Sequence, residues 1–105
     1  MEFLKKLKEE VKKYYSMDEL IDEHYEDENY QNIRFVETLN TDEHRWYILE
    51  ENVYKVKING VDYYFGIFEV GSLKSEEMCI SDTGVTMELF EVEKITRETF
   101  KRKDN

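Results

Sequence analysis

The sequence predicts an α+β domain in which two N-terminal helices pack on an antiparallel sheet of about five strands. Three observations carry that expectation. Apolar residues recur at helical spacing through the first 15 positions. β-Branched and aromatic runs dominate from residue 33 onward, and an Asn59-Gly60 pair separates two of them. A chain of 105 residues is of one-domain size, and its 40% apolar and 14% aromatic content can fill one core. The expected division is a helical region over 1–28, a sheet over 33–98 and a basic tail over 99–105.

In the first helix Phe3, Leu4, Leu7, Val11, Tyr14 and Tyr15 form one apolar stripe. Lys and Glu fill the opposite side, with Glu2–Lys6 and Glu9–Lys13 at a favourable i,i+4 spacing. "YSMDEL" then starts a second helix over 17–26, with Ser16 as N-cap and Glu19 completing a capping box. Met17, Leu20, Ile21 and Tyr25 turn to one side of it. Leu4, Leu7, Val11, Leu20 and Ile21 are the residues expected against the sheet.

"IRFVETL" and "RWYILEE" read as strands. "VYKVKI" and "VDYYFGIFEV" flank Asn59-Gly60, which favours a hairpin with a two-residue type I′ turn. In the first arm Tyr54, Val56 and Ile58 share one face, and Lys55 and Lys57 the other. The second arm is apolar on both faces, with Val61, Tyr63, Phe65 and Ile67 opposite Tyr64, Phe68 and Val70. Such a strand is central, or its second face meets a partner. "VTMELFEVEKIT" closes the sheet, with a bulge expected where its alternation breaks between Leu89 and Phe90.

Charge is distributed unevenly within a net of −10. Residues 1–15 carry +2 and residues 94–105 carry +3, so residues 16–93 hold 20 acids against five bases. A middle of −15 repels nucleic acid and favours basic surfaces. The main body is therefore expected to bind no nucleic acid directly, and only the basic tail suits phosphate. No run approaches the roughly 18 apolar residues of a membrane span. "MEFLKKLKEEVKKYY" lacks the continuous apolar region of a signal peptide. A lone Cys79 forms no internal disulfide, which fits a reducing compartment, and the expected location is cytoplasmic.

Catalytic signatures do not survive inspection. "SDTGV" at 81–85 contains the Asp-Thr-Gly triplet of aspartic proteases, whose two Asp pair across a dimer. Only 21 residues follow Gly84, too few for the flap, helix and dimer strands such a subunit needs. Asp and Gly are ordinary turn residues here. His24, His44 and Cys79 have no pair at zinc-like spacing. His24 flanks the apolar side of the second helix, His44 lies in the polar loop "NTDEHR", and Cys79 reads as a small buried hydrophobe. "DEHYEDEN" lacks the Gly of a calcium loop, and the four Gly form no phosphate cradle. The expectation is no catalytic residue, no metal ligand, no cofactor and no enzyme.

The stretch "DELIDEHYEDE", residues 18–28, holds seven acids and no Lys or Arg. On one helix, Asp18–Asp22, Glu19–Glu23, Asp22–Glu26 and Glu23–Asp27 are like-charge i,i+4 pairs, a set that costs about 1–2 kcal/mol. Asp18 and Glu19 recover part of this at the helix start, whereas Glu26, Asp27 and Glu28 stand at the wrong end. One reading is a solvated face. The other is a surface for a basic partner, made of Asp18, Glu19, Asp22, Glu23, Glu26, Asp27 and Glu28, with Tyr64 and Phe68 on the sheet as a second candidate surface. Carboxylates one helical turn apart, about 6 Å along the axis, coarsely imitate nucleic-acid phosphates.

Arg45-Trp46, Val53-Tyr54-Lys55, Tyr64-Phe65-Gly66, Glu77-Met78, Asp82 with Gly84, and "FEVE" at 90–93 follow one another between residues 44 and 93. This pattern resembles a type of small phage and mobile-element protein and covers about half of the chain. The resemblance implies no activity and no site residue. By analogy with small acidic phage proteins that block host defence, anti-CRISPR proteins among them, it implies an inhibitor in the host cell cytoplasm. Its partner would be the basic surface of a nucleic-acid-binding defence protein such as a CRISPR nuclease. The alternative is a non-enzymatic accessory or structural module, a monomer or a homodimer joined through its aromatic strand.

Overall fold

The structure, a computed structural model, describes residues 2–94 and 100–103. Helix α1 spans Glu2–Glu10 and tightens into a 3-10 turn over Val11–Lys13. Residues three apart eclipse in that tighter winding. Lys12 therefore meets Glu9 at 3.6 Å and Lys13 meets Glu10 at 2.7 Å, in place of the expected Glu9–Lys13 pair. Tyr14 leaves in an extended conformation, and its carbonyl accepts the Met87 N–H at 3.1 Å.

Ser16 caps helix α2 (Met17–Glu23), its Oγ accepting the Glu19 N–H at 3.2 Å. The helix ends at Glu23, short of the expected residue 26. Side chains from the following turn account for the stop. His24 Nδ1 lies 2.9 Å from the Leu20 carbonyl, and Gln31 Nε2 donates to the carbonyls of Ile21 at 3.0 Å and His24 at 3.2 Å. Carbonyls that a helix end leaves open thus find donors. Asp27 then caps a short helix α3 (Glu28–Gln31) by accepting the Asn29 N–H at 3.0 Å. The His24 ring stacks on Tyr30 at 4.0 Å and lies 3.2 Å from Glu10 Oε1, so one side chain joins all three helices.

Strands β1 (Ile33–Glu43), β2 (Tyr47–Ile58), β3 (Val61–Leu73) and β4 (Glu88–Phe90) form a four-stranded antiparallel sheet in sequence order. Strands β5 (Val92–Lys94) and β6 (Phe100–Arg102) pair separately. The α+β architecture is the expected one, but the strands divide differently. "RWYILEE" and "VYKVKI" belong to one strand, because Leu49 to Ile58 pair with β3 without a break, while β1 takes up the irregularities between Phe35 and Glu37 and between Thr38 and Asn40. The alternation break near Phe90 is a change of sheet, not a bulge. Pairing with β3 stops at Phe90, and the Glu91 carbonyl accepts the Lys103 N–H at 2.8 Å, which turns β5 toward β6.

Asn59 and Gly60 have φ of 52° and 79°, the two positive values that a type I′ turn requires. Facing the helices, Ile33, Val56, Phe65, Ile67 and Met87 meet Phe3, Leu7, Val11, Met17, Leu20 and Tyr30 in one core. Leu7, Val11 and Leu20 are fully buried, and Leu4 and Ile21 pack at its margin. No helix among the described residues is long and apolar enough to cross a membrane.

The second face of β3 is covered by its own chain. Phe90 packs directly on Gly66, where a Cβ would strike the ring. Phe100 lies 4.7 Å from Tyr64, and Arg102 stacks over Phe90 at 4.5 Å while pairing with Glu51 at 2.5 Å. The expected basic tail therefore begins as a strand. Lys101 pairs with Glu93 at 2.9 Å and Lys103 with Glu91 at 4.0 Å, so three of its cations are held by acids of the body. The end of the run "VTMELFEVEKIT" and Arg97 lie outside the described residues.

Leu7→Ala is expected to destabilise the fold by about 2–5 kcal/mol, the cost of emptying a closed core site. Urea unfolding reads this directly, and an unchanged midpoint would contradict the packing of α1 on the sheet.

Candidate functional site

All seven carboxylates of residues 18–28 are exposed. Asp18 and Glu19 occupy the first turn of α2, Asp27 caps α3 and Glu28 lies in its first turn. Acids expected at the wrong end of one helix thus stand at the favourable start of another. Only Asp18–Asp22 and Glu19–Glu23 remain as like-charge pairs on a helix, costing about 0.4–1 kcal/mol together. Tyr25, expected on the apolar side of α2, falls beyond its end and is 72% exposed among the acids.

Ion pairing separates these carboxylates from six others, although among the described residues Glu2, Glu37, Glu50, Asp62, Glu76, Glu77, Asp82 and Glu88 likewise face no Lys or Arg within 4.0 Å. Glu9, Glu10, Glu43, Glu51, Glu91 and Glu93 each face a Lys or Arg within 4.0 Å. Among the described residues, none of the seven in 18–28 has such a partner. The second candidate surface is partly occupied, since Tyr64 packs on Phe100 and both Tyr64 and Phe68 are half-buried.

The other residues of interest take structural places. His44 stacks on Tyr47 at 5.0 Å and meets Asp42 at 3.1 Å. Cys79 is exposed, not buried, because it stands at the entry of a 3-10 turn over Ile80–Thr83. Its N–H donates to Asp82 Oδ2 at 2.9 Å, and Gly84 leaves the turn at a φ of 70°. The Asp-Thr-Gly triplet is therefore part of a turn, as its residue types imply. No three His, Cys, Asp or Glu side chains among the described residues gather as a metal would require.

The structure also reveals a polar site that the sequence reading passed over. Glu69 continues the inward series Tyr63, Phe65 and Ile67 on β3 and is only 5% exposed. Asn52 Nδ2 donates to its Oε2 at 2.9 Å and the Tyr54 hydroxyl donates at 2.5 Å. The Met17 N–H at the start of α2 donates to the same carboxyl. Burial raises the Glu69 pKa above the usual carboxylate range; these three bonds oppose the rise, and Glu50 adds to it. Glu50 stands directly opposite Glu69 on β2. Burial, then the neighbouring Glu69, pushes the Tyr54 hydroxyl upward as well. A charged residue at an inward position of a central strand was the signal available in the sequence.

Beside Glu69 a cavity of roughly 580 Å³ opens between the start of α2 and the sheet. Asp18 lines it from the helix, and Glu50, Asn52, Tyr54 and Glu69 line it from the strands. Gly71 makes room for the Glu50 carboxyl, which a Cβ there would strike. Arg34 is the cation of the lining, and its Nη1 donates to the backbone carbonyls of Gln31 at 2.5 Å and Ile33 at 2.9 Å. A second hollow of roughly 700 Å³, between α1 and α3, sets Lys5 and Lys6 among the carboxylates of Glu2, Glu9, Glu10 and Asp27.

No family model matches this chain, and no curated protein or solved structure is significantly similar to it. The ridge of unpaired carboxylates and the acidic cavity beside it are thus defined by geometry and charge alone.

A buried carboxyl with a raised pKa takes up more protons folded than unfolded, so it stabilises at low pH. That stability is lost as pH rises from about 4.5 through the folded-state value. Glu69→Gln removes the titration. The unfolding free energy of the variant is expected to gain on that of the wild type as pH rises through this window. A difference that stays constant with pH would mean that Glu69 ionises alike in both states.

Proposed function

We propose that this chain is a non-catalytic binding protein whose acidic ridge docks on the basic surface of a nucleic-acid-handling protein and keeps nucleic acid off it. The density of open charge supports this reading. Seven exposed carboxylates without a Lys or Arg partner among the described residues fall within eleven residues, whereas the other described acids without one are spread from Glu2 to Glu88. Complementary charge of this kind steers association and selects partners. Tyr25, exposed in the middle of the row, offers the aromatic anchor that binding hot spots favour.

The finer reading follows from the resemblance over residues 44–93. The chain then acts as a phage or mobile-element inhibitor in the host cytoplasm, with a CRISPR nuclease as the target. A homodimer joined through Tyr64 and Phe68 draws less support, because Tyr64 already packs on Phe100 of its own chain.

The test combines Asp22→Lys, Glu23→Lys and Glu26→Lys with Asp27→Asn. Asn at 27 preserves the α3 cap, and Lys at 22 and 23 suits the end of α2, so the fold is expected to survive. Immobilised wild-type chain is expected to retain nucleic-acid-binding proteins from a bacterial lysate at about 0.1 M salt. It should release them toward about 1 M, where the screening length falls from about 10 Å to about 3 Å. Soluble wild-type chain should displace DNA from the retained protein in a gel shift, and the folded variant should neither retain nor displace. A folded variant that behaves like the wild type would leave the ridge a solvated face.

A further inference from the structure

We propose that the cavity beside Glu69 is a recognition pocket for one arginine side chain of the partner, inserted at the edge of the acidic ridge. The inference rests on the docking reading given above and specifies where that docking is anchored. Asp18 is the link, since it belongs to the ridge and also lines the cavity. A partner lying along α2 therefore passes the mouth of the pocket.

The chemistry of the lining selects a cation. Three carboxyl groups, of Asp18, Glu50 and Glu69, line the cavity against one guanidinium, that of Arg34, which already bonds two backbone carbonyls. Glu50 and Glu69 are directly opposite one another in the β2–β3 ladder, a placement that destabilises a sheet when both are charged. Asn52 bridges them, its Nδ2 lying 3.1 Å from Glu50 Oε1 and 2.9 Å from Glu69 Oε2. A planar guanidinium brings a fork of donors to such a pair, where an ammonium brings a compact point charge. The Tyr54 ring on the wall and Phe35 at the rim, 57% exposed, add aromatic faces on which a guanidinium stacks. A volume of roughly 580 Å³ lies within the range of small-ligand sites.

Arginine binding favours ionised Glu69, so below its empty-pocket pKa the carboxyl releases its proton to solvent as the guanidinium enters. The groups around Glu69 are Glu50 and Tyr54 on β2, Asp18 on α2 and Arg34 on β1. Binding should therefore strengthen as pH rises through the Glu69 transition and then level off.

The probe is N-acetyl-arginine amide, titrated into the full chain and followed by amide NMR. Its neutral isostere, N-acetyl-citrulline amide, is the control. Saturable shifts are expected at Met17, whose N–H bonds Glu69, and at Gly71 beneath Glu50. Citrulline amide and the Glu50→Gln chain should each bind at least about tenfold more weakly. The ridge variant should titrate like the wild type, because Asp22, Glu23, Glu26 and Asp27 do not line the cavity. Equal binding of citrulline amide, absence of saturation in the wild type, or an unchanged titration in folded Glu50→Gln overturns the pocket. If any of these occurs while the ridge variant still loses partner capture, docking through the ridge stands and only the anchor is lost.

Discussion

The core and the buried carboxyl both depend on the register of β2 on β3. Asn59 and Gly60 fix it by taking up two positive φ angles, so Ile58 pairs with Val61 and each following residue falls into place. Tyr54 then stands opposite Phe65, and Glu50 opposite Glu69. A slip of one residue would exchange the two faces of the strand. Phe65 and Ile67 would leave the helices, and the carboxyl of Glu69 would leave Asn52 and Tyr54. One turn thus decides both where the core lies and where the buried carboxyl points.

The acidic segment depends on a different device. Seven like charges on one uninterrupted helix would repel along its length. The chain breaks the helix at Glu23, closes its end with the His24 ring and the Gln31 amide, and restarts at Glu28. Two helix starts within twelve residues give four of the acids a positive dipole end to face. His24 makes this arrangement rigid through its contacts with Glu10 and Tyr30. The segment thus divides its seven exposed carboxylates between two short helices and the turn that joins them.

The sequence made local features legible and hid those that depend on distant partners. The stripe of Leu7, Val11 and Leu20, the Ser16 cap and the Asn59-Gly60 turn are each encoded within a few residues, and all three stand as read. The end of α2 was misplaced because its cap comes from Gln31, which no N-terminal pattern reveals. The strand Phe100–Arg102 looked like a tail because its reason for being a strand is burial against Tyr64, Phe90 and Glu51. The ridge was legible as composition, though its division between two helix starts was not. Glu69 was the opposite case. Its inward position followed from the alternation of β3, but its meaning required Asn52, Tyr54 and the start of α2 to be seen together.

Strand order along the large sheet equals order along the chain, and β1–β2 and β2–β3 are joined by connections of three and two residues, with a longer one, residues 74–87, before β4. Closing such loops sacrifices little chain entropy, and contacts of this local kind form early in folding. The cover on the far face is different. Arg102 reaches back to Glu51 across 51 positions of sequence, and among the described residues β5 and β6 pair only with each other, over three residues each. Its attachment constrains a long loop for few ladder bonds, whereas the β2–β3 ladder runs from Tyr47–Leu73 to the turn. Local opening begins where few contacts hold much chain. Lifting that cover would expose the aromatic face of β3 and leave the helical layer closed.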